Sequence, residues 1–176
     1  CYISLKEIHR QQEKFDSALI YINMALEIKQ ELGHKRGIAV CYNYLGVDCF
    51  RQKKFNQAKQ YFSKSYEMKK EVDDFFGQTN SLLDLSKTYL ILKNFEQARI
   101  YAKKGIEIAI NISAEEFISK LRLIIAQSYI QQAIQLERNE SKNFKTISHL
   151  YKMASNNYEL YKNSRDSAEL KAKNEQ

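Results

Sequence analysis

The chain has 176 residues, 44% of them hydrophobic and 28% charged, with no proline, no tryptophan and five glycines. That balance excludes a disordered chain and, because turn and strand punctuators are scarce while Leu, Ile, Ala, Lys, Glu and Gln abound, it points to an all-α fold. The formal charge is +7, yet the cations are interspersed with Glu and Asp and cluster only briefly, at Lys53-Lys54 and Lys69-Lys70, as on a solvated helix face and unlike a nucleic-acid surface.

Taken in chain order, the sequence repeats itself. A shift of 40 residues aligns Phe15 with Phe55 and Phe95, Ala18 with Ala58 and Ala98, Tyr21 with Tyr61 and Tyr101, and Glu27 with Glu67 and Glu107. Four units follow, at about 1–36, 37–76, 77–116 and 117–161, and self-similarity at such a period is the signature of a solenoid. Within the second unit Tyr42, Leu45, Gly46 and Cys49 fall at i, i+3, i+4, i+7, and Ala58, Tyr61, Phe62 and Ser65 repeat that spacing after a short break, so each unit is predicted to be a hairpin of two helices, A then B. The break at Lys53-Lys54-Phe55-Asn56 places Asn56, like Asp16 one unit earlier, as a cap for helix B, with Phe15, Phe55 or Phe95 plugging the hairpin end.

The fourth unit departs from the others. Phe144 follows Tyr129 by 15 positions where Phe95 follows Tyr89 by six, which predicts an insertion near 130–143. Ile130, Ala133, Ile134 and Leu136 extend the apolar face of helix A by about two turns before a polar loop at 137–143. Residues 162–176 are polar and form a C-terminal helix or linker, either a solvated cap or a lead into a further domain. The opening residues fall inside a helix A, as expected of a fragment of a longer protein.

The motif Tyr42-x2-Leu45-Gly46-x2-Cys49 followed by Ala58-x3-Phe62 resembles the tetratricopeptide-repeat (TPR) signature of large residues around Leu-Gly, then Ala and Phe. Small residues at Gly46, Ser86 and Ala126 let helix A approach helix B of its own hairpin, and Ala25, Ser65 and Gly105 let helix B approach the next unit. The sequence departs from the common pattern in its 40-residue period, against about 34, in lacking unit-end prolines, and in Lys6 at the small position of the first unit. The long unit resembles TPR regions of bacterial signalling regulators, and the resemblance implies a right-handed superhelical solenoid of antiparallel hairpins that binds protein or peptide in a concave groove.

No enzyme is indicated. His9, His34 and His149 sit in different units, and no Cys-x-x-Cys, His-Glu-x-x-His, phosphate loop or nucleophile motif is present, so no cofactor, metal or catalytic residue is assigned. Cys1, Cys41 and Cys49 read as reduced core thiols, the last two about 12 Å apart along one helix, beyond disulfide reach. Adjacent carboxylates, Asp73-Asp74 and Glu115-Glu116, lie at unit junctions where one member starts the next helix. The repeated tyrosines read as packing residues, not a base-stacking platform. No apolar run reaches a membrane-spanning length, and the segment is expected to be cytoplasmic.

The TPR resemblance implies that A-helix side chains not used in hairpin packing meet the partner. Those are Val40, Asn43, Tyr44, Val47 and Phe50 in the second unit, Asn80, Leu83, Asp84, Lys87 and Ile91 in the third, and Lys120, Ile124, Gln127 and Gln131 in the fourth. The carboxylate clamp of chaperone-binding TPR proteins is absent, since Ile3, Glu7, Tyr44 and Asp84 stand at its positions. Asn43 and Asn80 could each hold a peptide backbone through both amide atoms, as in TPR receptors for short signalling peptides. A sensory or scaffolding module that binds a protein segment is therefore one reading, and a signalling-peptide receptor the other.

Overall fold

In the computed structural model, residues 19–139 and 143–174 are described, with side chains through 166. The described residues are helical apart from short connections. Helix α1 occupies 19–31 and is followed by α2 (Lys35–Arg51), α3 (Phe55–Glu71), α4 (Phe75–Ile91), α5 (Phe95–Asn111), α6 (Glu115–Arg138) and α7 (Phe144–Asn174). Helices α2 to α5 have 17 residues each. A three-residue turn follows each of them, and two helices with two turns generate the 40-residue period.

The turns share one backbone device. Their central residues, Gly33, Lys53, Asp73, Lys93 and Ser113, all take positive φ between 51° and 61°, and glycine alone does so without steric cost. Around Lys53, Lys93 and Ser113 two backbone bonds close the helix end, for example Lys54 N–H to the Cys49 carbonyl at 2.8 Å and Lys53 N–H to the Phe50 carbonyl at 3.0 Å. This is the Schellman arrangement, which satisfies carbonyls the helix would otherwise leave open.

The next helix is capped by the residue after the turn centre. Asp74 Oδ1 accepts from Gly77 N–H at 2.8 Å, Asn94 Oδ1 from Gln97 N–H at 3.2 Å, and His34 Nδ1 from Gly37 N–H at 3.2 Å. The expectation for Asn56 is corrected here. Helix α3 begins at Phe55 with Lys54 at the cap and no side-chain capping bond, so Asn56 lies inside the first turn and corresponds to Glu96, not to the capping Asn94. Asp16 lies outside the described residues.

By contact, the chain divides into two units, Cys1–Asp73 and Asp74–Gln176. In the first, α2 packs on α3, burying Ile38, Ala39, Cys41, Leu45, Ala58, Phe62 and Tyr66. A Cβ built on Gly46 would stand 2.6 Å from two Phe62 ring carbons, so the absence of a side chain there sets the helix separation. Ser65 donates to the Ala39 carbonyl at 2.8 Å, a bond within its own hairpin.

In the second unit α4 packs on α5, α5 on α6, and α6 on α7. Its core gathers Leu83, Leu90, Phe95, Ala98, Ala102, Leu121, Ile124 and Ile125. A Cβ on Gly105 would meet Leu121 at 2.8 Å, the predicted close approach of helix B to the following helix A. Helix α6 runs 24 residues, and its added turns bury Ala133 against Ile147 and Leu150 of α7. Helix α7 continues past Tyr161 without a break. Arg122 of α6 donates to the Leu160 carbonyl at 3.1 Å and to the buried Ser164 hydroxyl, so the start of the polar C-terminal stretch is tied to α6.

Candidate functional site

The residues assigned to partner contact lie on α2, α4 and α6. On α2, Tyr44 is 57% exposed and, with Val40, Cys41, Gly37 and residues of α1 such as Tyr21 and Ala25, lines an apolar cleft of about 460 Å³. Its neighbours on the same helix are more occupied. Asn43 is half-buried and its Oδ1 accepts from Lys69 Nζ at 3.4 Å. Val47 is half-buried. Phe50 packs edge-on against Phe55, with ring centroids 5.4 Å apart, and so helps to close the end of its own hairpin.

Lys69 itself was assigned to a solvated face and is instead 5% exposed. Its ammonium donates to the Asn43 amide oxygen, as a buried cation requires a hydrogen-bond partner.

On α4 three of the five assigned residues form one polar row. Asn80 Nδ2 donates to Asp84 Oδ2 at 3.4 Å, and Lys87 Nζ stands 3.9 Å from Asp84 Oδ1. The spacing i, i+4, i+7 stacks them on one helix face. Gln127 is exposed on α6, and Ile91 and Val40 are exposed apolar residues of α4 and α2. Leu83 and Ile124 are corrected: both are buried members of the second unit's core. Their position on an A helix marks the seam between consecutive A helices, which the hairpin pattern by itself does not distinguish from the open face.

The recurring tyrosines stack within hairpins, Tyr42 on Tyr61 at 6.3 Å and Tyr89 on Tyr101 at 5.1 Å between centroids. Burial and the neighbouring Tyr101 raise the Tyr89 phenol above its ordinary range. Arg99 of α5 lies over the Tyr129 ring at 4.4 Å and donates to Gln132 Oε1 at 2.9 Å. Cys41 and Cys49 are free thiols, and burial raises both above the usual thiol range. Asp48 is buried, its Oδ2 has no hydrogen-bond partner among the described residues, and desolvation raises its carboxyl despite the opposing Arg51 charge. No group of three or more His, Cys, Asp or Glu side chains is placed to hold a metal among the described residues, and none of the helices described there is long and apolar enough to cross a membrane.

Paired helices of fixed length, small residues at each crossing and side chains left over on the A helices define a helical-repeat interaction scaffold. Family models described as tetratricopeptide repeat match residues 2–71 and 79–109, together more than half of the chain, and the protein belongs to the tetratricopeptide-repeat family. Its fold is similar to the apo form of RapI, with a TM-score of 0.59 at 18% identity over 90% of this chain and 65% of that one. It is likewise similar to BtubC from P. vanneervenii, with a TM-score of 0.61 at 16% identity over 94% of this chain and 62% of the other. The chain thus spans just under two thirds of each of these proteins. No curated protein matches it. As a tetratricopeptide-repeat chain it is a protein-interaction module, a scaffold class that is generally non-catalytic.

Proposed function

We propose that the chain is the sensory or scaffolding region of a larger bacterial signalling protein, and that it binds protein partners through the open faces of its A helices, α2 in the first unit and α4 and α6 in the second. The observation that carries this reading is the set of A-helix side chains that hairpin packing leaves outside the core. They are the exposed Val40 and Tyr44 on α2, the Asn80, Asp84 and Lys87 row and Ile91 on α4, and Gln127 on α6. An exposed tyrosine beside aliphatic and charged residues suits a half-wetted protein interface.

A receptor for a short signalling peptide is the second reading, and it leaned on two free asparagine amides. What weighs against it is that Asn43 Oδ1 accepts from Lys69 and Asn80 Nδ2 donates to Asp84, so each amide is already held by a neighbouring side chain and has lost one of the four hydrogen-bonding sites it could offer a peptide backbone.

The test is capture of a partner from lysate of the source cell by wild type, by a Tyr44→Ala, Lys87→Ala pair, and by an Asn43→Ala, Asn80→Ala pair. The proposal expects a partner held by wild type and lost by the first pair. A partner held equally by all three proteins removes the A-helix faces as the site.

A further inference from the structure

At the far end of α6 the structure holds a second pocket, of about 470 Å³, lined by Lys93 and Phe95 from the α4–α5 turn and the start of α5, and by Gln131, Ile134, Gln135, Arg138 and Asn139. It exists because α6 is seven residues longer than α4. The added turns rise past the α4–α5 turn, and the pocket lies between them. It is distinct from the α2 cleft and from the Asn80, Asp84 and Lys87 row.

Its chemistry is one-sided. Two cations and three amides surround an apolar floor of Phe95 and Ile134, and no acidic side chain is among the lining residues. Among the described residues two carboxylates adjoin lining residues in sequence: Glu137 is engaged elsewhere, because Tyr151 of α7 donates its hydroxyl to Glu137 Oε2 at 3.1 Å, and Glu96, exposed in the first turn of α5, is not among the lining residues. Lys93 is presented outward by its positive φ of 58° at the turn centre, and both Lys93 and Arg138 are exposed. From Gln131 to Asn139 the face extends about 12 Å at 1.5 Å per residue, the length of three or four residues of extended chain at about 3.3 Å each. Gln127, Gln131, Ile134 and Arg138 fall within one narrow sector of α6 at 100° per residue, so the pocket continues the face that carries Gln127.

We propose that this pocket binds a short acidic, extended segment of a partner protein. Carboxylate side chains meet Arg138 and Lys93, the amides of Gln131, Gln135 and Asn139 pair with the segment's backbone, and one apolar side chain rests on Phe95 and Ile134. The formal charge of +7 adds long-range attraction for such a segment. This rests on the reading of the chain as an interaction module and assigns it a second contact of defined chemistry.

The probe is a fluorescein-labelled peptide of six alternating glutamates and leucines, with both termini blocked so that only side-chain carboxylates are offered, followed by fluorescence anisotropy at low salt. Wild type is expected to bind it, and a Lys93→Glu, Arg138→Glu pair to weaken binding at least tenfold with the thermal melt unchanged. A control pair at exposed cations elsewhere, Lys103→Glu and Lys152→Glu, is expected to bind within about twofold of wild type by the near-additivity of distant sites. No binding by wild type, equal loss in the control pair, or equal binding of a glutamine-for-glutamate peptide overturns the proposal. Tyr44→Ala is expected to leave this probe's affinity unchanged. Partner capture that depends on Tyr44 while the acidic peptide fails to bind therefore removes this pocket and leaves the proposed function standing.

Discussion

Replacing Gly46 by alanine tests the packing logic of the hairpin at its tightest point. In an exposed helix the change would stabilise by about 1 kcal/mol, because glycine is the poorer helix former. Here the new methyl would lie 2.6 Å from Cδ1 and Cε1 of Phe62, whereas carbon atoms rest at about 3.5 to 4.0 Å. The ring is 1% exposed and cannot swing into solvent, so α2 and α3 must separate by a good part of an ångström. Overpacking of this kind costs about 1 to 3 kcal/mol. The net expectation is a loss of up to about 2 kcal/mol, a fall in Tm of up to roughly 8 °C for a chain of this length, followed by far-UV circular dichroism. In a Phe62→Leu background the clash is relieved, and the same alanine is expected to be neutral or stabilising. A single variant stabilised by the full ~1 kcal/mol of an exposed site, or an equal change in both backgrounds, would refute the claim that Gly46 sets the helix separation through Phe62.

Two further predictions concern backbone and charge. Ser113→Gly is expected to raise Tm slightly: a left-handed residue other than glycine costs about 1 to 2 kcal/mol, part of which is offset by the greater freedom of glycine in the unfolded chain. Gly33→Ala, at φ +61° with nothing within 4 Å of its new Cβ, is expected to lower it, and a lower Tm for Ser113→Gly together with a higher one for Gly33→Ala would discard the shared turn geometry. Asp48→Asn is expected to stabilise the protein at neutral pH. Burial raises the folded-state carboxyl above its unfolded value, so between the two the folded state binds more protons and stability falls as pH rises. The variant lacks that loss, and its Tm advantage should grow from pH 4 to pH 7, whereas a pH-independent difference would exclude Asp48 as the cause.

Sequence alone determined the hairpin architecture, and the physical reason is local. A helix of 17 residues with a three-residue turn writes its period directly into the chain, and the small positions Gly46, Ala58 and Gly105 announce each close crossing. The length anomaly after Tyr129 was legible for the same reason, since an extra stretch shifts every later residue of the pattern. Asn56 is not the cap because a register difference of two residues at a helix start, from Lys54 to Asn56, is invisible to periodicity, whereas the bond that Gln97 N–H donates to Asn94 Oδ1 fixes it. Only the tertiary structure decided which A-helix residues are open. Leu83 holds the unit position of Asn43, and Ile124 that of Tyr44, yet both are buried in the second unit's core, and Lys69 reads as a surface cation until its ammonium is seen against Asn43. The pocket between α6 and the α4–α5 turn was likewise beyond the sequence. Lys93 and Arg138 lie 45 positions apart, and only the lateral packing of α6 beside that turn brings them to one cavity.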